Sequence, residues 1–348
     1  MKIIGCDFHP SFQQIAMVDT ETGEVKEHKL MHGDGEATRF YQQLEKPCLI
    51  GMEATGNSQW FERQMEQLGH ELWMGDATKI RASYVRKQKT DRRDANHILT
   101  LLIEKRFPRI WVPSKEQRDQ RQLLLHRHRL VRMRTKIKTE LQHLAMNQGM
   151  QKKRQLWTLA GMAALNRLPL AGWTARRRKD LLELLETLKP WIADLDIAVS
   201  QAAAANPQAC LLMTQSGVGP NTALAFVVTI GDVSRFPRSR QLASYLGLIP
   251  EEDSSGHTRR LGSITKQGNV FLRTLLVEAA QSAVRHDEAF RNQYRHRCHH
   301  KPKGVAKVAA ARKLAVKLYW MLRNNLQSPC LQATPIESSP SHLVVGES

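Results

Sequence analysis

The order of hydrophobic runs across the first hundred residues constrains this chain more tightly than any single motif. Short apolar stretches at Lys2 to Cys6, Ile15 to Val18 and Val25 to Leu30, the last two separated by a turn at Thr20 to Gly23, predict a three-strand meander. The amphipathic segment Glu36 to Leu44 then predicts a helix, Cys48 to Met52 a strand, Ser58 to Leu68 a helix and Glu71 to Met74 a short strand, with helical segments running on to Glu104. The resulting order, βββαβαβα, is that of a ribonuclease-H-like domain, although other mixed folds share pieces of it.

Pro108 and Pro113 punctuate the end of this region, and Ser114 with Gln117 forms a capping box that opens a long helix. Leu123, Leu130, Ile137 and Leu144 recur at heptad spacing, and Leu181, Leu185, Leu188, Ile192, Leu195 and Val199 alternate steps of four and three, predicting two coiled-coil-like helices. Pro190 lies inside the second and is expected to kink or split it. From Gln208 glycines punctuate short helical runs, a last helix spans Val305 to about Asn324, and the Ser- and Pro-rich end is expected to be disordered. The expected organisation is α/β plus all-α: a catalytic domain over 1–112, a helical coiled-coil domain over 113–205, a small helical domain over 206–326 and a tail over 327–348.

Charge divides the chain along the same line. The formal net charge is +19, yet residues 1–104 carry 13 Lys or Arg against 16 Asp or Glu, so the basic excess belongs entirely to the remainder. A basic body attracts phosphate backbones, and a near-neutral, carboxylate-bearing front suits a metal-dependent catalytic domain; a ribosomal-type binding protein is the plainer alternative. Five scattered cysteines without CxxC pairing imply no disulfide framework, and no apolar run reaches membrane-spanning length. A cytoplasmic location is expected.

Two of the apolar strands run into acids. Asp7 follows Ile3-Ile4-Gly5-Cys6 and Glu53 follows Leu49-Ile50-Gly51-Met52, so adjacent strand ends would bring the two carboxylates together. A carboxylate at a buried strand end is costly unless a cation neutralises it. Asp91 and Asp94, three apart, share one helix face and can close the same site from above. Four hard oxygen donors suit Mg²⁺, with two ions expected per site, rather than zinc. The plainer alternatives are a helix N-cap for Asp91, a helix-dipole partner for Asp94 and turn starts for Asp7 and Glu53.

Candidate nucleic-acid contacts lie around and behind this set. Arg86, Lys87, Lys89, Arg92 and Arg93 surround the last two acids, and Arg127, Arg132 and Arg134 lie on the first long helix, which has no acid between Asp119 and Glu140. Ser216-Gly217-Val218-Gly219-Pro220 looks like a helix-hairpin-helix turn in which Gly217 and Gly219 would expose N–H groups to phosphate; a ligand-free interhelical turn fits equally well. Arg259, Arg260 and Lys266 belong to a later basic run. Trp157, Trp173 and Trp191 can stack bases, though packing is the commoner fate of tryptophan. The cluster His296 to His300 lacks the spaced pairs of a zinc site.

The run Leu246-Gly247-Leu248-Ile249-Pro250, the Ser254-Ser255-Gly256 step, and Leu261-Gly262-Ser263-Ile264-Thr265-Lys266-Gln267-Gly268 ahead of Leu272-Arg273 follow an N-terminal D…E…D-x-x-D set. Together they resemble the DEDD transposases of the insertion-sequence-110 family over essentially the whole ordered chain. The resemblance implies a front domain similar to the RuvC-type Holliday-junction resolvases, binding Mg²⁺ through Asp7, Glu53, Asp91 and Asp94. It also implies a nucleophilic serine at Ser255, with Ser254 ambiguous by one position. Further implications are double-stranded donor and target DNA, a structured bridge RNA as guide, homodimers and a synaptic homotetramer with shared active sites, and a nucleoid-associated life in a bacterial cytoplasm. Phe8-His9-Pro10 departs from the family's usual run after its first Asp, and His9 has no assigned role. A resolvase-like nuclease using water and a non-catalytic nucleic-acid scaffold are the competing readings.

Overall fold

The computed structural model describes residues 1–84, 90–150, 155–255, 258 and 260–325. Arg86, Lys87, Lys89, Gly256, Arg259 and the expected tail over 327–348 therefore lie outside the described residues. The chain forms two compact units, one of residues 1–112 and one beginning at Pro113.

In the first unit the elements run β1 (Lys2–Phe8), β2 (Phe12–Asp19), β3 (Val25–Met31), α1 (Glu36–Gln43), β4 (Leu49–Glu53), α2 (Gln59–Leu68), β5 (Glu71–Gly75), α3 (Ala77–Ala82) and α4 (Asp91–Ile103). They build one mixed sheet in the order β3-β2-β1-β4-β5, with β1, β2 and β3 antiparallel and β4 and β5 parallel to β1. This topology is consistent with a ribonuclease-H-like domain.

Strand alternation sorts the side chains onto two faces. Ile4, Cys6, Ile50 and Met52 point into a core shared with Tyr41, Phe61 and Met65 of α1 and α2. Each such fully buried side chain contributes roughly 1.5–3 kcal/mol. The opposite face carries Ile3, Gly5 and Asp7 on β1 and Leu49, Gly51 and Glu53 on β4, and α4 lies over it. Gly5 and Gly51 are register partners. A Cβ on Gly5 would fall 2.2 Å from Ala95 O and 2.4 Å from Leu99 N, and one on Gly51 would fall 2.7 Å from Leu102 Cδ1. The two glycines thus form a shallow shelf on which the backbone of α4 rests. Thr90 caps α4, its side chain accepting from Arg93 N, so Asp91 and Asp94 fall in the first turn and neither is the cap.

The second unit is helical. Its capping box at Ser114 and Gln117 opens α5 (Lys115–Asn147), followed by α6 (Leu159–Asn166) and α7 (Gly172–Ala204). Leu130, Ile137, Leu141 and Leu144 of α5 meet Leu185, Leu188 and Ile192 of α7, a core built by the heptad positions. α7 runs through Pro190 as one continuous helix, so Pro190 does not split it. Pro190 sits on the exposed side, while Leu188 and Ile192 on either side of it are anchored in the interhelical core, and that packing holds the helix across the lost hydrogen bond.

The remaining elements are α8 (Pro207–Met213), α9 (Pro220–Ile230), α10 (Ser239–Tyr245), β6 (Pro250–Glu252), β7 (Leu261–Ile264), α11 (Val270–His286), α12 (Glu288–His300) and α13 (Lys303–Asn325). They pack about the wholly buried α9, which shares its core with Leu124 of α5 and with Val199 and Ala203 of α7. The β6–β7 hairpin stands where short helices were expected. Its strands are short and almost fully exposed, so no apolar alternation announces them. Among the described residues no helix is long and apolar enough to cross a membrane.

Gly5→Ala should destabilise the first unit by about 1–3 kcal/mol, because the new methyl meets helix backbone that cannot swing aside. Gly33→Ala, where a Cβ meets nothing within 4 Å, is the neutral control in urea unfolding of the full chain.

Candidate active site

Beyond the last registered pair of β1 and β4, Cys6 with Met52, come Asp7 and Glu53, both on the α4 side of the sheet. The glycine shelf lets the first turn of α4 approach them. His9, in the turn between β1 and β2, completes the approach: its Nε2 lies 3.1 Å from Asp7 Oδ2 and 3.7 Å from Asp91 Oδ1. Asp7, His9 and Asp91 each offer a donor atom within 4.8 Å of the others.

Asp94 is held differently. It is only 4% exposed, and the Tyr84 hydroxyl donates to its Oδ1 at 2.6 Å. The Tyr84 ring lies 4.1 Å from that of His97, whose Nε2 is 2.8 Å from Ser83 Oγ. Ser83 spends its own proton on Ile80 O at 2.7 Å, so His97 Nε2 carries the hydrogen and donates. Burial, the bond to Asp94 and the charges of Asp94, Asp7 and Glu53 together push the Tyr84 phenol far above its ordinary range, which keeps it a donor.

The electrostatics favour a cation. Burial raises the Asp7 carboxyl above its usual pKa and the charges of Asp94 and Asp91 add to the rise, while His9 opposes it through its charge and hydrogen bond. Converging oxygen donors in a half-buried, self-repelling cluster fit a hard divalent ion, which would offset both the burial that chiefly raises Asp7 and the smaller repulsion from Asp94 and Asp91. Tyr84 and His9 escaped the sequence reading as functional groups. Asp-x-His after an apolar strand was a visible signal for His9, whereas nothing local marks Tyr84.

Several expected nucleic-acid contacts are occupied within the protein. Arg92 pairs with Glu27 of β3, which also accepts from Asn96 Nδ2 at 2.7 Å. Arg127 pairs with Asp196 and ties α5 to α7. Arg121 caps the end of α9 by donating from Nη2 to Val228 O at 2.6 Å and from Nε at 2.9 Å. Arg93, Arg132, Arg260 and Lys266 are exposed and Arg134 is half-buried. In the expected phosphate turn, Gly217 has φ +85° and a Cβ there would meet Ala283 N at 2.4 Å, so it serves contact with α11. Gly219 is exposed, caps α9 and has open space beside it. Trp157 packs under Lys138, Trp191 is partly exposed and Trp173 is 88% exposed.

The serine segment lies on the β6–β7 hairpin. Ser254 Oγ donates to Glu252 Oε1 at 3.1 Å and accepts from Arg260 N at 3.2 Å. Ser255 is exposed and exchanges backbone hydrogen bonds with Thr258 at 3.3 and 3.1 Å. The motif around it is largely a clamp for the hairpin base. A Cβ on Gly247 would lie 2.2 Å from Gln267 O and one on Gly268 2.0 Å from Tyr245 O. The buried Arg273 guanidinium donates to Leu246 O at 3.0 Å and Gln267 O at 2.6 Å.

Comparison with known proteins places both units. Residues 4–147 match the DEDD transposase family of the IS110 type, and residues 209–295 match the family described as Transposase IS116/IS110/IS902. A probable family 20 transposase of Pseudomonas aeruginosa is 31% identical over 81% of this chain and 84% of its own length. The transposase for insertion sequence element IS1111A of Coxiella burnetii is 29% identical over 82% of this chain and 79% of its own. A putative transposase of Sinorhizobium fredii is 28% identical over 93% and 84%.

Tyr84→Phe removes the donor that orients Asp94 and should weaken divalent-ion binding by about ten- to a hundredfold. Calorimetric titration with Mg²⁺ measures this, with circular dichroism confirming an unchanged fold; unaltered affinity would show that Asp94 needs no such anchor.

Proposed function

The chain belongs to the IS116/IS110/IS902 family of transposases, and we propose on that footing that it recombines double-stranded DNA by divalent-metal-dependent cleavage and serine-mediated rejoining. The observation that carries this reading is the convergence of Asp7 and Asp91, with Asp94 anchored by Tyr84, on the face of the sheet that also bears Glu53. These four carboxylates are the proposed holders of two Mg²⁺ ions. A divalent ion there supplies charge stabilisation to the attacked phosphate and to the departing oxygen.

Ser255 is the proposed nucleophile. Its Oγ gives up its proton and attacks phosphorus, one phosphorus–oxygen bond to deoxyribose breaks with the departing oxygen taking up a proton to leave as a hydroxyl, and the phosphoserine diester keeps the energy needed to reseal the strand to a new partner. The choice of Ser255 over its neighbour is supported by the Ser254 hydroxyl, which is engaged on both sides within the hairpin. Gly217 and Gly219 had been candidate phosphate contacts, and only the exposed Gly219 is kept in that role. Arg93, Arg132, Arg134, Arg260 and Lys266 are the proposed backbone contacts, joined by Arg86, Lys87, Lys89 and Arg259 from outside the described residues. The reading extends to donor and target DNA brought together by a structured guide RNA, and to homodimers assembling into a synaptic homotetramer.

Covalent adduct formation tests the chemistry. With DNA and Mg²⁺, wild type and Ser254→Ala should show a protein–DNA adduct on denaturing gels, while Ser255→Ala, Asp7→Ala, Glu53→Ala and Asp91→Ala should show none. Cleavage that persists in Ser255→Ala without adduct would establish water as the nucleophile. Protein stripped of RNA by nuclease should lose recombination and regain it on return of the element's noncoding transcript. Full activity on bare DNA without RNA would remove the guide from the reading.

A further inference from the structure

The acidic set accounts for four of the groups at the centre and leaves His9 over. Phe12 holds it through both backbone and ring. His9 N donates to Phe12 O at 2.9 Å, which closes the turn between β1 and β2. The imidazole stacks on the Phe12 ring with centroids 4.6 Å apart and planes 22° apart, and Lys29 Nζ stands 4.2 Å over that same ring. The stacked ring points its Nε2 at Asp7 Oδ2 and Asp91 Oδ1.

The distances carry a second meaning. Adjacent ligand atoms about 2.1 Å from one octahedral ion stand about 3 Å apart. The 3.1 Å between His9 Nε2 and Asp7 Oδ2 is that spacing, and 3.7 Å to Asp91 Oδ1 needs only a small side-chain rotation to reach it. A hydrogen bond between His9 and Asp7 and shared ligation of a cation therefore use the same geometry. We propose that His9 is a ligand of this centre, sharing one cation with Asp7 and Asp91, and that its nitrogen tilts the site toward Mn²⁺ over Mg²⁺. Transition ions accept an imidazole donor more readily than Mg²⁺, which keeps oxygen and water ligands. Asp94, tied through Oδ1 to Tyr84, and Glu53 belong to the remaining, all-oxygen part of the centre.

This inference rests on the metal-centre reading above, and its test separates the two. The full-length protein is loaded with Mn²⁺ alone at one equivalent and examined by electron spin echo envelope modulation, which detects a directly bound ¹⁴N. Wild type should show the nitrogen modulation, and His9→Ala and His9→Gln should lose it while still binding Mn²⁺. The ratio of Mn²⁺ to Mg²⁺ affinity, from competition titration, should fall about tenfold in both variants. His9 is 36% exposed in a turn, so these variants should keep the wild-type thermal transition. Asp7→Asn should lose both the modulation and most Mn²⁺ binding, which assigns the signal to this centre rather than to another histidine. If Asp7→Asn abolishes binding but His9→Ala keeps the modulation and the affinity ratio, His9 is not a ligand and the metal centre stands. If Asp7→Asn binds Mn²⁺ like wild type, the centre itself is refuted and His9 with it.

Discussion

The contact of α4 with bare backbone at Gly5 underlies everything the first unit can do. Side chains normally keep a helix about 10 Å from a sheet. Here Ala95 O and Leu99 N occupy the space that a Cβ on Gly5 would fill, and the Leu102 side chain occupies that of Gly51. The helix descends, and its first turn brings Asp91 and Asp94 level with the strand ends that bear Asp7 and Glu53. Thr90 fixes the start of the helix and Tyr84 fixes one acid, so descent and rotation are set separately.

The strands of this unit were legible because each is a short apolar run with polar punctuation, Asp7 and Glu53 because they terminate such runs, and Asp91 and Asp94 because their spacing shares one helix face. The two glycines passed as ordinary members of those strands, and only the packed structure assigns them to the helix above. His9 was visible but unexplained, since its partners Asp91 and Phe12 approach only through the sheet and the helix. Tyr84 was invisible because its value depends on contacts with His97 and Asp94 that no spacing rule encodes. In the second unit the heptads announced α5 and α7, and Pro190 does not split α7 because Leu188 and Ile192 on either side of it are packed in the interhelical core. The hairpin at Pro250–Ile264 had no amphipathic pattern to read, its strands being exposed on both faces.

Most of the family motif in the second unit is architectural once its contacts are known. Gly247, Gly268 and Arg273 bind the base of the hairpin to the helical core through backbone contact and a buried guanidinium. Glu252, Ser254 and Arg260 brace its stem. Ser255 beside this stem is exposed. Invariance of such a motif would therefore report mostly on the base of the hairpin.

The internal engagement of arginines separates two electrostatic quantities that composition merges. Arg121, Arg127, Arg178 and Arg273 direct their guanidinium groups to carbonyls or a carboxylate of the same unit. Their charges still contribute to the field felt by an approaching polyanion, except where Asp196 cancels that of Arg127. Part of their donor capacity is committed within the protein, which holds each guanidinium in place and leaves fewer N–H groups to meet a phosphate. The full basic excess thus sets the long-range attraction for a polyanion, while the number of ions released on contact is set by the smaller number of cations that reach a phosphate directly.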